Sequence, residues 1–323
     1  SLTSRKFAFK GMNNRNRSII LLLLVIMGAC SNHESDGANE AEKSKKEEAG
    51  ESGDTIIYES ENGPVEVPAN PERVVVLSTY AGDVIKLGVN IVGADSWSMD
   101  NPNFAEGLKD AEEVSDESLE KIIELEPDLI IGLSTIKNVD KLNEIAPTVT
   151  FTYGKVDYLQ QHIEIGKLLN KEEEARAWVE DFEKRAKEVG EKIKEKIGED
   201  ASVSVIEDYD KQLYVFGDNW GRGTEILYKA MGLKMPEKVE EMALEDGYHA
   251  ISLEVLPEYA GDYMIFSRSA GADDEYLESE IYQNIPAVKN GRVFEVDQRS
   301  FYFNDALTLE YQLDFFEEKF LGE

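Results

Sequence analysis

Cysteine is nearly missing from this chain of 323 residues: Cys30 is the only one, so no internal disulfide can form. Histidine is almost as scarce. The three present, His33, His162 and His249, are widely separated, which leaves a bare zinc or manganese site without a ligand set. No Gly-x-Ser-x-Gly elbow and no His-x-x-x-His pair occurs, so the common hydrolase and metalloprotease signatures are absent. Positive charge is also short. Against 34 Lys and Arg stand 66 Asp and Glu, a formal net charge of −32. Such a balance disfavours nucleic acid and anionic membrane surfaces as partners. The acids are scattered along polar helix faces, where they serve solubility.

What basic charge there is gathers at the start. Residues 1–29 carry Arg5, Lys6, Lys10, Arg15 and Arg17 with no acid, followed by the apolar run IILLLLVIMGA. A basic stretch, a short apolar stretch and small residues before a cut describe a secretory signal. The run falls short of the ~20 residues that span a bilayer. Met12 is the expected start of translation. Cys30, directly after Gly28 and Ala29, resembles the lipobox cysteine of bacterial lipoproteins, which is acylated and becomes the first mature residue. The alternative is a cysteine that merely follows a signal. Residues 30–53 are almost devoid of apolar side chains and read as a disordered tether, about 25 Å in mean reach. Without residues 1–29 the net charge is still more negative.

From residue 54 onward, strand-like runs alternate with helical patterns, the signature of α/β layers. RVVVLS (73–78), NIVGA (90–94), DLIIGLS (128–134) and TVTFTY (148–153) are the strands of a first lobe, 54–170. SVSVIED (202–208), KQLYVFG (211–217), DYMIFS (262–267) and GRVFEVD (291–297) are those of a second, 199–323, which repeats the plan. Helices are expected at 82–88 and 223–232, each closed by glycine. Ser118-Leu119-Glu120 precedes Asp128 and a strand; Ser252-Leu253-Glu254 precedes Asp262 and a strand at the same spacing, marking two similar lobes. Between them, Ala175, Trp178, Phe182, Ala186, Val189, Ile193 and Ile197 recur at steps of three and four, one apolar face of a single helix over 171–198. A helical linker is stiff, so small rocking of the lobes is expected rather than wide closure.

In family order across residues 65–321, VPANPERVVVLSTYAGDVIKLGVNIVGADSWS (67–98), SLEKIIELEPDLIIG (118–132), FTYGKVDYLQQ (151–161), YVFGDNWGRGTEILY (214–228) and IPAVKNGRVFEVD (285–297) resemble the iron–siderophore substrate-binding lipoproteins of ABC importers, in the ferric-hydroxamate branch. The resemblance implies two Rossmann-like lobes joined by one long rigid helix, the class III periplasmic-binding-protein type, with the ligand in a shallow cleft between them. It implies no enzyme activity and no cofactor; the ligand is an Fe(III)-siderophore, with no direct metal site. It places binding residues at Tyr153, Tyr214, Trp220 and Arg222, with Trp97 and the group Phe301, Tyr302, Phe303 as further walls. It also implies that Glu120 and Glu254, one per lobe, grip arginines of the permease dimer that works with a cytoplasmic ATPase. The receptor would be a monomer on the extracytoplasmic face of the cell membrane, held by the lipid on Cys30.

The residues of the 214–232 stretch agree with a cleft wall. Its glycines are followed by Thr224 and Glu225 rather than the Lys-Ser/Thr of a phosphate loop, and GRGTEI lacks the last glycine of a dinucleotide fingerprint. Gly217, Gly221 and Gly223 allow tight turns that would present Trp220 and Arg222, an aromatic face for aliphatic linkers and a fork of donors for chelator oxygens. One arginine in a very acidic body favours near-neutral or mildly cationic hydroxamates over trianionic tris-catecholates, with Lys155 and Arg268 as further candidate cleft cations. Other iron chelates (catecholate or citrate), haem and cobalamin on the same fold remain alternatives. So does a lipid-anchored surface enzyme or adhesive module.

Overall fold

The computed structural model describes residues 53–323; the signal, Cys30, His33 and nearly all of the tether lie outside the described residues. A hairpin comes first, β1 (Thr55–Ser60) and β2 (Gly63–Pro68), in register from Thr55 opposite Pro68 to Ser60 opposite Gly63. It buries Tyr58 and Val67 against the first lobe.

The first sheet comprises β3 (Val74–Val76), β4 (Ile91–Ala94), β5 (Glu112–Glu113), β6 (Leu129–Leu133) and β7 (Thr148–Phe151). Its spatial order is β5-β4-β3-β6-β7 and every pairing is parallel. The second comprises β8 (Val203–Tyr209), β9 (Gln212–Phe216), β10 (Tyr248–Ile251), β11 (Tyr263–Arg268) and β12 (Val293–Asp297), ordered β10-β9-β8-β11-β12. The two orders are the same when strands are counted within each lobe. Both sheets are apolar on two faces, as sheets covered by helices must be. Val74 and Val76 face one cluster and Val75 the other; Ile265 faces one and Met264 and Phe266 the other.

The repeated Ser-Leu-Glu…Asp segment has a structural meaning. Asp128 accepts hydrogen bonds from the Glu72 and Arg73 amides just before β3, and Asp262 accepts from the Ser202 amide just before β8. Each carboxylate ties the start of its lobe's fourth strand to the start of its first.

The second lobe does not repeat the first in full. β9 and β10 pair antiparallel, β8 with β9 through the tight turn at Asp210 and Lys211, both at positive φ (48° and 64°). That is the backbone a two-residue hairpin loop requires. The helix expected at 223–232 forms over Glu225–Ala230 as a widened π turn, in which the Met231 amide donates to the Ile226 carbonyl five residues back.

The linker is one helix, Glu172–Ile197, that buries Ala175, Phe182, Ala186, Val189 and Ile193, joined by Val179 and Gly190. At 26 residues it is about 39 Å long. The terminal helix Ala306–Leu321 lies beside it: Trp178 Nε1 donates to Glu310 Oε1 at 2.6 Å and Arg185 pairs with Asp314. The terminal helix also meets the first lobe, where Lys86 lies 2.8 Å from Glu310. A buried polar knot joins these parts. His162 Nδ1 is 2.8 Å from Asp83 Oδ1, which also accepts from the Ala306 amide. Asp305 caps the terminal helix by accepting from the Thr308 amide and hydroxyl. Burial, and then the neighbouring Asp83, push the Asp305 carboxyl up to about 8. Among the described residues no helix is long and apolar enough to cross a membrane.

Candidate functional site

A cavity of about 480 Å³ lies between the lobes, within the range of small-molecule sites. The first lobe supplies residues at the carboxyl ends of its parallel strands: Leu77 after β3, Asp95 after β4, Leu133 in β6 and Tyr153 after β7. Open α/β sheets place ligands at this edge. Trp97 joins them from the short helix Ser96–Asp100, whose N-cap is Asp95, accepting from the Ser98 amide. Burial raises the Asp95 carboxyl above its ordinary range, against the pull of the Ser98 hydrogen bonds.

The second lobe supplies Trp220, Arg222 and the run Tyr302, Phe303, Asn304. Because β9 runs antiparallel to β8, the loop after it leaves at the opposite end of the sheet from the carboxyl end of β8. It reaches the cleft by folding back over the sheet. Arg222 (φ 60°) sits between Gly221 and Gly223, three left-handed residues in a row, and its amide donates to the Phe301 carbonyl at 2.7 Å. A Cβ on Gly221 would lie 2.0 Å from the Tyr302 carbonyl oxygen, so only glycine lets the loop seat there. Gly247 plays the same part for the indole: a Cβ there would lie 2.0 Å from Trp220 Cδ1.

Aromatic rings cover both walls. Trp97 (47% exposed) lies 4.9 Å from Tyr302 and 6.3 Å from Tyr209, ring to ring; Trp220 (39% exposed) lies 6.0 Å from Tyr153 and 4.9 Å from Tyr248. Tyr153 bridges the lobes. Its hydroxyl donates to the Asn219 carbonyl at 3.3 Å and accepts from Asn304 Nδ2 at 3.2 Å. Burial raises the Tyr153 and Tyr302 phenols above their ordinary range, which keeps both protonated at neutral pH.

Arg222 is not the lone cation that the sequence suggests. Its Nη2 donates to Glu207 Oε1 at 3.0 Å and its Nε to Oε2 at 3.2 Å, a two-pronged pair, while Nη1 donates to the Trp220 carbonyl at 3.0 Å. Its guanidinium carbon lies 4.7 Å from the Phe216 ring centre and 5.0 Å from that of Tyr302. Of a guanidinium's five N–H groups, three are engaged in these bonds; the others remain for a ligand.

Of the sequence-derived site residues, Trp97, Tyr153, Trp220, Arg222 and Tyr302 line this cavity, together with Phe303. Tyr214 does not. It faces the same side of the sheet as Glu207, its cross-strand neighbour, and packs against Tyr248, so it stands behind Trp220. Phe301 is buried in the second lobe. Lys155 lines a separate cavity of about 230 Å³ behind Tyr153 and Asn304. Arg268 is buried, pairing with Glu295 at 2.9 Å. Glu120 is exposed on the helix Leu119–Glu124 after β5, and Glu254 on the turn Leu253–Val255 after β10. They hold equivalent places in the two lobes. Asp95, Asn304 and Glu207 are absent from the sequence reading; Glu207's signal was an acid directly after the apolar pair Val205-Ile206 in a strand expected to be buried. Among the described residues no cluster of three His, Cys, Asp or Glu side chains is placed to hold a metal.

Two α/β lobes on a rigid helix, with a ring-lined cavity between them, define a small-molecule-binding protein of the two-lobed type. The family profile described as Periplasmic binding protein matches residues 74–300. The chain is 39% identical over 305 residues to the iron(3+)-hydroxamate-binding protein FhuD of Bacillus subtilis, covering 92% of this chain and 94% of that one. It is 38% identical over 305 residues to the iron(3+)-hydroxamate-binding protein YxeB of the same organism, with 92% of each covered. The structure of FhuD2 from Staphylococcus aureus with bound ferrioxamine B superposes with a TM-score of 0.74 at 36% identity, covering 78% of this chain and 99% of that one. The chain belongs to the periplasmic binding protein family, on the branch of the iron–siderophore substrate-binding proteins of ABC importers, and is a binding protein rather than an enzyme.

Proposed function

We propose that this protein is a lipid-anchored extracytoplasmic receptor that binds ferric hydroxamate siderophores and delivers them to an ABC importer. The observation that carries the reading is the cavity itself: Trp97, Tyr153, Trp220 and Tyr302 around one guanidinium. A ferric hydroxamate is apolar over its aliphatic linkers and offers carbonyl and N–O oxygens near the metal. Ring faces suit the first, and the free N–H groups of Arg222 suit the second. Iron is the cargo and arrives already chelated. The two relatives named for hydroxamate binding, and the ferrioxamine B complex, support the same ligand class.

Delivery rests on Glu120 and Glu254. Equivalent carboxylates on two similar lobes suit a permease dimer of matching symmetry, and such charges steer encounter and fix register more than they add affinity. Cys30 is the proposed lipid site, with residues 30–53 as the tether and the receptor acting as a monomer. The test is a binding screen of residues 54–323 against ferric hydroxamates, ferric catecholates, ferric citrate, haem and cobalamin. Tightest binding to a hydroxamate supports the reading. Tightest binding to any other member overturns it.

A further inference from the structure

We infer that Glu207 sets the charge preference of the cleft: by holding Arg222 in a neutral ion pair, it admits uncharged and cationic ferric hydroxamates and turns away anionic ferric chelates. The inference rests on the function proposed above and deepens it.

The Glu207 side chain is 1% exposed and stands behind Arg222 rather than among the residues that line the cavity, so a direct ligand contact is closed to it. Both its oxygens are engaged, Oε1 by Arg222 Nη2, and Oε2 by Arg222 Nε and by the Ser267 hydroxyl at 3.0 Å. Ser267 is its cross-strand neighbour on β11, so the acid is fixed by the sheet rather than by a mobile loop. The pair performs two separable tasks. It aims the guanidinium, whose faces are already held by Phe216 and Tyr302. It also cancels the guanidinium charge. Among the described residues the remaining charged side chain on the cavity wall is Asp95, an acid. The cleft therefore offers N–H donors without net positive charge. A tris-catecholate complex, carrying three negative charges, finds no compensation there, whereas a hydroxamate with a pendant ammonium meets none of the repulsion a bare arginine would exert. Discrimination of this kind comes from withholding an attraction from the wrong ligand as much as from contacts to the right one.

The test uses the full chain and three variants, Glu207→Gln, Arg222→Gln and the double variant, each titrated with ferrioxamine B and with a ferric tris-catecholate at low and high salt. In Glu207→Gln the affinity ratio of the two ligands should move toward the catecholate by about tenfold or more at low salt. The move should shrink as salt screens it. The double variant, which restores the net charge, should return the ratio to near the wild-type value although both affinities fall. A purely structural role for Glu207 would weaken both ligands alike and leave the ratio unmoved in Glu207→Gln, and that result overturns the inference. If Glu207→Gln does not fold, the comparison of Arg222→Gln with the double variant carries the same charge step. An unchanged ratio between those two overturns the inference equally. A wild-type chain that binds no ferric hydroxamate overturns the proposed function and this inference with it; a wild-type chain that binds hydroxamate while the ratios stay fixed removes Glu207 alone.

Discussion

The two lobes share a strand order and differ in the direction of one strand, β9. In the first, β5-β4-β3 are parallel and the ligand side is built from strand ends, so its contributions are short: Leu77, Asp95, Leu133, Tyr153. In the second, the β8–β9 hairpin reverses β9, and the loop that follows must fold back over the sheet face to reach the cleft. That fold-back brings Arg222 against Glu207 and Phe216 and sets Trp220 on Gly247. One lobe gives a rim and the other a packed wall carrying the ion pair. The reversal of one strand inside the sheet, at unchanged strand order, is enough to move the specificity-bearing side chains from the strand ends to the sheet face.

Where the lobes are alike, in the placement of Glu120 and Glu254, the largest effect is expected. Glu120→Ala with Glu254→Ala should abolish siderophore-dependent iron uptake in cells while the purified protein binds ligand with unchanged affinity. Loss of both activities would point to misfolding and remove the docking role.

Where the lobes differ, Arg222→Ala should be costly twice over. It strands the buried Glu207 and removes the ligand's donors. Breaking one side of a buried pair costs about 3–5 kcal/mol of stability, visible as a fall in Tm. Loss of the charged hydrogen bond costs about 1.5–3 kcal/mol of binding, roughly 10- to 100-fold in affinity. A variant with native Tm and native affinity would dismiss the packed-wall description. Gly247→Ala is next. At φ 88° and against the Trp220 ring, the new methyl must displace the indole, and backbone strain of about 1–3 kcal/mol accompanies it. Binding should weaken and Trp220 fluorescence should shift; unchanged emission would show that the indole has another seat.

The buried polar knot at the start of the terminal helix supplies a pH test. Asp305 titrates at about 8 in the folded chain, against about 3.9 when unfolded. The folded chain therefore binds more protons across that window, so the contribution of this group to stability is full below the lower value and is lost as pH rises to the upper one. Asp305→Asn keeps the cap geometry and abolishes the loss. Its Tm should gain on wild type progressively from pH 4 to pH 8 and hold that gain above. A pH-independent difference would contradict the buried carboxyl. The smallest effect belongs to Tyr153→Phe, which removes the interlobe hydroxyl contacts to Asn219 and Asn304. A loss of about 1 kcal/mol in ligand binding is expected.

The comparison of lobes also marks what the residues revealed by themselves. The strands with unbroken apolar runs, such as RVVVLS and DYMIFS, and the three-four periodicity of 172–197 were readable because burial on two faces or on one stripe leaves a pattern. The β8–β9 reversal was readable and missed. Only Asp210 and Lys211 separate the two strands, and a parallel crossover needs a dozen residues or more. The β1–β2 hairpin, turned at Glu61 and Asn62, carried its own signal in Gly63, which opens β2 at positive φ. Trp97, Tyr153, Trp220, Arg222 and Tyr302 were singled out through the family resemblance rather than by any pattern of their own, and they line one cavity; Tyr214, singled out with them, does not. The pairing of Arg222 with Glu207 could not be read, because it joins a strand to a loop 15 residues on through a fold-back with no pattern of its own.

The central claim is that the iron complex sits between the lobes against these rings and this ion pair. Crystals of the protein grown with a ferric hydroxamate, measured at the iron absorption edge, test it most directly. The account predicts a single strong anomalous peak in the cavity bounded by Trp97, Trp220 and Arg222, with chelator oxygens and no protein atom bonded to the metal. A peak outside that cavity, or iron bonded directly to side chains, would contradict it.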